Sequence, residues 1–98
     1  LKEGYTYILS NKNRTVLYVG ATGNLKSRME LHIEGKASKF TKRYNVNELL
    51  YFERFNNYQE AFVREKQIKN WKSVWKWNLV KSQNQELKNL YLELKDLM

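Results

Sequence analysis

Residues 5–20 read Tyr5-Thr6-Tyr7-Ile8-Leu9-Ser10-Asn11-Lys12-Asn13-Arg14-Thr15-Val16-Leu17-Tyr18-Val19-Gly20. The run 5–10 is rich in β-formers, although it alternates poorly. Asn11-Lys12-Asn13-Arg14 is a polar turn signal, and 15–20 is a second β-rich run. Two strands about such a turn make a β-hairpin. Successive strand side chains point to opposite faces, so Tyr5 and Tyr7 share one face, and Tyr18 and Gly20 share one face of the next strand. A glycine at a strand end lets a ligand or another backbone approach closely. Taken alone, two strand tyrosines are ordinary sheet packing.

Working outward, Ala21-Thr22-Gly23-Asn24 is a loop with Asn24 placed as an N-cap. A helix is predicted over 25–34, because Leu25, Arg28, Met29 and His32 fall at i, i+3, i+4 and i+7. Gly35 is its natural stop. Lys36 to Asn47 reads as a basic, polar loop carrying Lys36, Lys39, Lys42 and Arg43. Residues 48–55 form a third strand. Asn57-Tyr58-Gln59-Glu60 resembles a capping box and opens a helix to about Asn70, followed by a short helix over about 73–82. The spacing of Leu87, Leu90, Tyr91 and Leu94 predicts a last helix over 84–97. The order β-β-α-β-α-α-α implies an α+β fold, a small and mostly antiparallel three-stranded sheet flanked by helices. With no proline, no linker and no repeat, residues 1–98 read as one domain.

Hydrophobic residues are 42% of the chain, which argues against disorder. The absence of cysteine excludes a disulfide framework, thiolate zinc ligands and a Cys nucleophile. No apolar run is long enough to span a membrane, and residues 1–5 lack the apolar stretch of a secretory signal; a cytoplasmic location is expected. Eighteen Lys and Arg against ten Asp and Glu give a net charge of +8. Such a field draws polyanions, nucleic acid first among them.

The helix opened by Asn57 contains an anomaly. At about 100° per residue, Tyr58, Ala61, Phe62 and Ile68 share one face, and Glu65 projects near its middle. An acid there must be paired or bind a cation, since burying it alone is costly. The plainer alternative is a bridge to Lys69 at i+4, worth roughly a few tenths of a kcal/mol. On the first helix, Arg28 and His32 stand at i and i+4. Arginine offers a planar fork suited to phosphate oxygens, or simply edges the core. His32 is the one histidine of the chain, so a single copy offers no His pair to a metal.

Taken together, these residues resemble the GIY-YIG nuclease superfamily, especially its small single-domain branch related to the N-terminal nuclease domain of the repair protein UvrC. Tyr5-Thr6-Tyr7 and Tyr18-Val19-Gly20 are similar to the two namesake motifs. Arg28 sits ten residues after Tyr18, where the family keeps an arginine, with His32 following as in some members. Glu65, within Ala61-Phe62-Val63-Arg64-Glu65-Lys66-Gln67, matches the metal-binding glutamate, and Asn78 in Trp77-Asn78-Leu79 matches an active-site asparagine. The resemblance spans residues 4–80. Tyr5-Thr6 stand where the family name has Gly-Ile, and Ala21 where some repair relatives have lysine.

The resemblance implies a metal-dependent endonuclease acting on DNA rather than RNA, structure-directed or of low sequence specificity, with one Mg²⁺ or Mn²⁺ held by Glu65. Arg28 would hold phosphate oxygens, Tyr7 or Tyr18 would orient or deprotonate the attacking water, and His32 would hydrogen-bond a tyrosine or relay its proton. Lys36, Lys39, Lys42, Arg43, Lys66, Lys69, Lys72 and Lys76 would track the backbone. The same fold could instead be a catalytically silent nucleic-acid-binding module. The C-terminal helix packs on the domain or offers a surface to a protein partner.

Overall fold

Every residue of strand β1 (Gly4–Ser10) is buried, which is why that run alternates poorly: it lies mid-sheet with both faces covered. The computed structural model describes residues 3–97; the expected span of 1–98 includes Leu1, Lys2 and Met98, which lie outside the described residues. β1 pairs antiparallel with β2 (Leu17–Thr22) on one side and with β3 (Glu48–Phe55) on the other, giving the order β2-β1-β3. The fold is the expected α+β arrangement of a three-stranded antiparallel sheet with flanking helices.

The second strand begins two residues later than the sequence suggests and runs through Ala21 and Thr22. Asn11 causes the delay, because its Oδ1 accepts from the Thr15 and Val16 amides at 2.8 and 3.2 Å and keeps both residues in the turn.

Two hydrophobic clusters sandwich the sheet. Tyr5, Tyr7, Leu9 and Leu49 face Leu25 and Met29 of α1 (Leu25–Ile33) and Leu94 of α5 (Tyr91–Leu97). On the other side, Ile8, Val19, Leu50 and Tyr51 face Ile68 of α3 (Tyr58–Lys69) and Val80 of α4 (Ser73–Gln83). The β1–β3 register slips by one residue, with Ile8 opposite Tyr51 and Leu9 opposite Leu49. Leu50 is the extra residue, and this bulge lets the consecutive Leu50 and Tyr51 enter the same cluster.

The caps fall where the sequence places them. Asn24 Oδ1 accepts from the Ser27 amide at 3.0 Å, and Asn57 Oδ1 from the Glu60 amide at 2.9 Å. Gly35, at φ +74°, ends α1, in the left-handed conformation that glycine adopts without strain.

Two expectations need correction. The loop from Lys36 to Asn47 contains a short helix, α2 (Lys39–Arg43), capped by Ser38 through the Thr41 amide. The last helix does not begin at 84. Asn84 is buried; its amide donates to the Leu50 and Lys88 carbonyls at 2.9 and 2.8 Å, and its Oδ1 accepts from the Lys88 amide at 3.0 Å. These bonds compete with helical ones, and the chain stays irregular until Tyr91. Leu90 then donates its amide to the Leu49 carbonyl and Asn89 Oδ1 accepts from the Leu49 amide, covering part of the outer edge of β3. Among the described residues, no helix is long and apolar enough to cross a membrane.

Candidate active site

The register Tyr7↔Gly20 and Leu9↔Tyr18 puts both phenols and the glycine on the α1 side of the sheet. A Cβ on Gly20 would stand 2.5 Å from Tyr7 Cζ and Oη, so the missing side chain makes room for the Tyr7 ring. The close approach expected at this glycine is therefore made by the phenol itself. Tyr7 and Tyr18 have ring centroids 6.5 Å apart, and His32 of α1 sits edge-on to both, at 5.7 and 5.5 Å. His32 Nε2 lies 2.9 Å from Tyr7 Oη, and its Nδ1 lies 3.1 Å from Thr41 Oγ1 on α2.

Burial above all pushes the Tyr7 phenol above the ordinary tyrosine range; the neighbouring Tyr18 and Glu65 act in the same sense, and Arg28 opposes them. Burial, and then the Arg28 charge, bring His32 down to about 4, so the imidazole is neutral at neutral pH. Arg28 is half-buried on the inner side of α1 and forms no ion pair among the described residues.

Glu65 is buried on α3 together with Ala61 and Ile68. The apolar face is narrower than expected, because Tyr58 is exposed and stacks on Phe62. Lys69 Nζ sits 2.7 Å from Glu65 Oε2, which is the plain helix bridge anticipated above. The same ammonium is 6.0 Å from the Tyr18 ring centroid, so the bridge stands beside the phenols and not apart from them. α3 is anchored over the hairpin by Thr6, whose hydroxyl donates to the Ala61 carbonyl at 2.7 Å. That bond gives Thr6 a structural reason to stand where the namesake motif has isoleucine.

A single acid is a sparse metal site, and among the described residues no three His, Cys, Asp or Glu gather. Mg²⁺ and Mn²⁺ nevertheless suit one carboxylate, since such ions keep several waters and take substrate phosphate oxygens. The Lys69 ammonium occupies a cation position on Glu65, and the donor set fits.

Asn78, Lys72 and Lys76 belong to α4 or its N-cap; among the described residues, no hydrogen bond or ring contact joins them to the phenols. Lys36 is exposed and pairs with Glu34 at 3.5 Å, and Lys66 lies over the Phe62 ring at 4.7 Å. Lys39, Lys42 and Arg43 are exposed on α2. Sequence reasoning missed what else α2 brings. Phe40 stacks on Tyr18 at 6.0 Å and meets Tyr44 at 4.9 Å, with the Arg43 guanidinium 5.4 Å over Tyr44. Ser38, an N-cap residue type ahead of the basic run, was the one signal for this helix.

The GIY-YIG catalytic domain model matches residues 3–78. The chain belongs to the GIY-YIG family. It is 36% identical to a UPF0213 protein of Oceanobacillus iheyensis over 85 residues, covering 87% of this chain and 98% of that one. A UPF0213 protein of Clostridium perfringens is 37% identical over 90 residues, covering 92% and 96%. Among solved structures, the solution NMR structure of a UPF0213 protein from Bacillus halodurans superposes with a TM-score of 0.56 at 28% identity, covering 89% of this chain and 92% of that one. As a GIY-YIG domain the chain carries a nuclease-type fold.

Proposed function

We propose that this chain is a divalent-metal-dependent endonuclease that hydrolyses DNA phosphodiester bonds, structure-directed or of low sequence specificity. The observation that carries the reading is one buried carboxylate, Glu65, whose Lys69 partner lies over the ring of Tyr18, itself 6.5 Å from that of Tyr7. When bound at Glu65, Mg²⁺ or Mn²⁺ supplies charge stabilisation at the leaving 3′ oxygen. Arg28 holds the non-bridging phosphate oxygens as negative charge builds on them.

The two phenols divide the remaining work. Tyr7 is buried and its phenol is held neutral, so it orients by hydrogen bonding. Tyr18 is half-exposed with the Lys69 ammonium over its ring, so it gives its own proton to solvent before taking that of the attacking water. Lys36, Lys39, Lys42, Arg43 and Lys66 contact the backbone without reading sequence; Lys72, Lys76 and Asn78 extend that contact along α4. Glu65 would hold the ion, and Lys69, now paired with that acid at 2.7 Å, would then be free to contact a phosphate.

A second reading, a catalytically silent nucleic-acid-binding module, is favoured by the Glu65–Lys69 bridge, which already neutralises the acid. Supercoiled plasmid separates the two. With Mg²⁺ or Mn²⁺ the enzyme reading expects nicking that a chelator stops and that Tyr18→Phe slows by roughly 100-fold or more. Salt-sensitive binding with no metal-dependent nicking would leave the binding module standing.

A further inference from the structure

Beyond the two phenols, a line of buried hydrogen bonds runs from Tyr7 through His32 to α2. Tyr7, His32 and Thr41 are 2%, 2% and 1% exposed. At the far end, Thr41 Oγ1 lies 2.8 Å from Ser38 Oγ and 3.3 Å from the Ser38 carbonyl oxygen, while the Thr41 amide donates to Ser38 Oγ at 3.0 Å. The direction of this line follows from counting protons. A buried hydroxyl must donate, and among the described residues the acceptor within reach of the Tyr7 O–H is His32 Nε2. A neutral imidazole has one N–H and one lone pair. With Nε2 accepting, Nδ1 carries the hydrogen and donates it to Thr41 Oγ1. Thr41 then donates its own hydrogen to Ser38, whose hydroxyl and carbonyl oxygens are both within reach. The nitrogen that carries the hydrogen is set by the bond the other one makes.

We infer that Thr41 is a positioning residue that holds His32 in the Nδ1–H tautomer, so that the Nε2 lone pair fixes the Tyr7 hydroxyl and turns the free lone pairs of the phenol oxygen toward the site. A valine at this position would fill the same space and remove the acceptor, releasing the imidazole to the opposite tautomer. Nε2–H would then donate to Tyr7, and the phenol hydrogen would swing into the site where a water must be accepted. The catalytic consequence rests on the nuclease reading; the tautomer does not.

His32 is the single histidine, so its ring nitrogens give unambiguous signals in long-range ¹H–¹⁵N spectra at neutral pH. Wild type is expected to show a protonated Nδ1 and a bare Nε2. Thr41→Val shifts the population toward Nε2–H, and Thr41→Ser keeps the wild-type pattern. A wild type in the Nε2–H form overturns the inference even if Thr41→Val fails to fold, and so does a Thr41→Val protein with an unchanged tautomer. In plasmid nicking, Thr41→Val should lose roughly tenfold or more in rate at unchanged KM, with Thr41→Ser restoring it. Equal rates in Thr41→Val and wild type would overturn the positioning role. Absence of nicking by wild type would strike the nuclease reading, while the spectra still decide what Thr41 does to His32.

Discussion

A methyl group at Gly20 would have to share the space of the Tyr7 ring, 2.5 Å from its Cζ and Oη. Gly20→Ala is therefore expected to cost about 1–3 kcal/mol, as overpacking of a filled core does, and to slow nicking by displacing the phenol. Thermal melts check the first effect and nicking rates the second. His32 brings a pH dependence whose sign follows from its depressed pKa. Folding holds the imidazole neutral down to about 4, whereas the unfolded chain protonates it near 6.5. Between those values the unfolded state binds more protons, so the contribution is complete above 6.5 and is lost as pH falls toward 4. Urea denaturation across that window should show wild type losing more stability than His32→Asn. Motif spacing marks Tyr7, Tyr18, Arg28 and Glu65 singly as candidates. Thr41 was not legible, since a threonine in a polar loop carries no pattern until α2 seats it on His32.

The strands and the caps were legible at the scale of elements. Asn24, Asn57 and Gly35 carry their own local chemistry, and β-rich runs between polar turns announce the sheet. α2 was hidden because five residues are too few for helical periodicity, and its stability comes from the Ser38 cap and from Phe40 packing on Tyr18. The tail misled for the opposite reason: Leu87, Leu90, Tyr91 and Leu94 have helical spacing, yet the Asn84 side chain claims the backbone groups the first turn would need. α2 also presents Lys39, Lys42 and Arg43 to solvent beside the Tyr18 stack. Replacing all three by glutamine should flatten the dependence of DNA affinity on log salt by about 2–3, close to 0.9 per lost phosphate contact. Fluorescence anisotropy over a salt series reads that slope.

For the whole molecule, a sheet covered on both faces places α1 on one side and α3 on the other, and the candidate site lies where both reach the hairpin. Sequence spacing gave each residue an address on its own element; that Glu65 and the phenols meet depends on the antiparallel register and on Thr6 holding α3 at Ala61. The fold places an acid in a protein of net charge +8, and its charge opposes the binding of phosphate. That opposition makes Glu65→Ala the sharpest test, with nicking rate and DNA affinity measured on the same samples in Mg²⁺ or Mn²⁺. The expected result is a rate lower by roughly 100-fold or more, with affinity unchanged or tighter once the repelling carboxylate is gone. Nicking at the wild-type rate, or affinity that collapses along with it, would contradict the claim that Glu65 serves the chemistry.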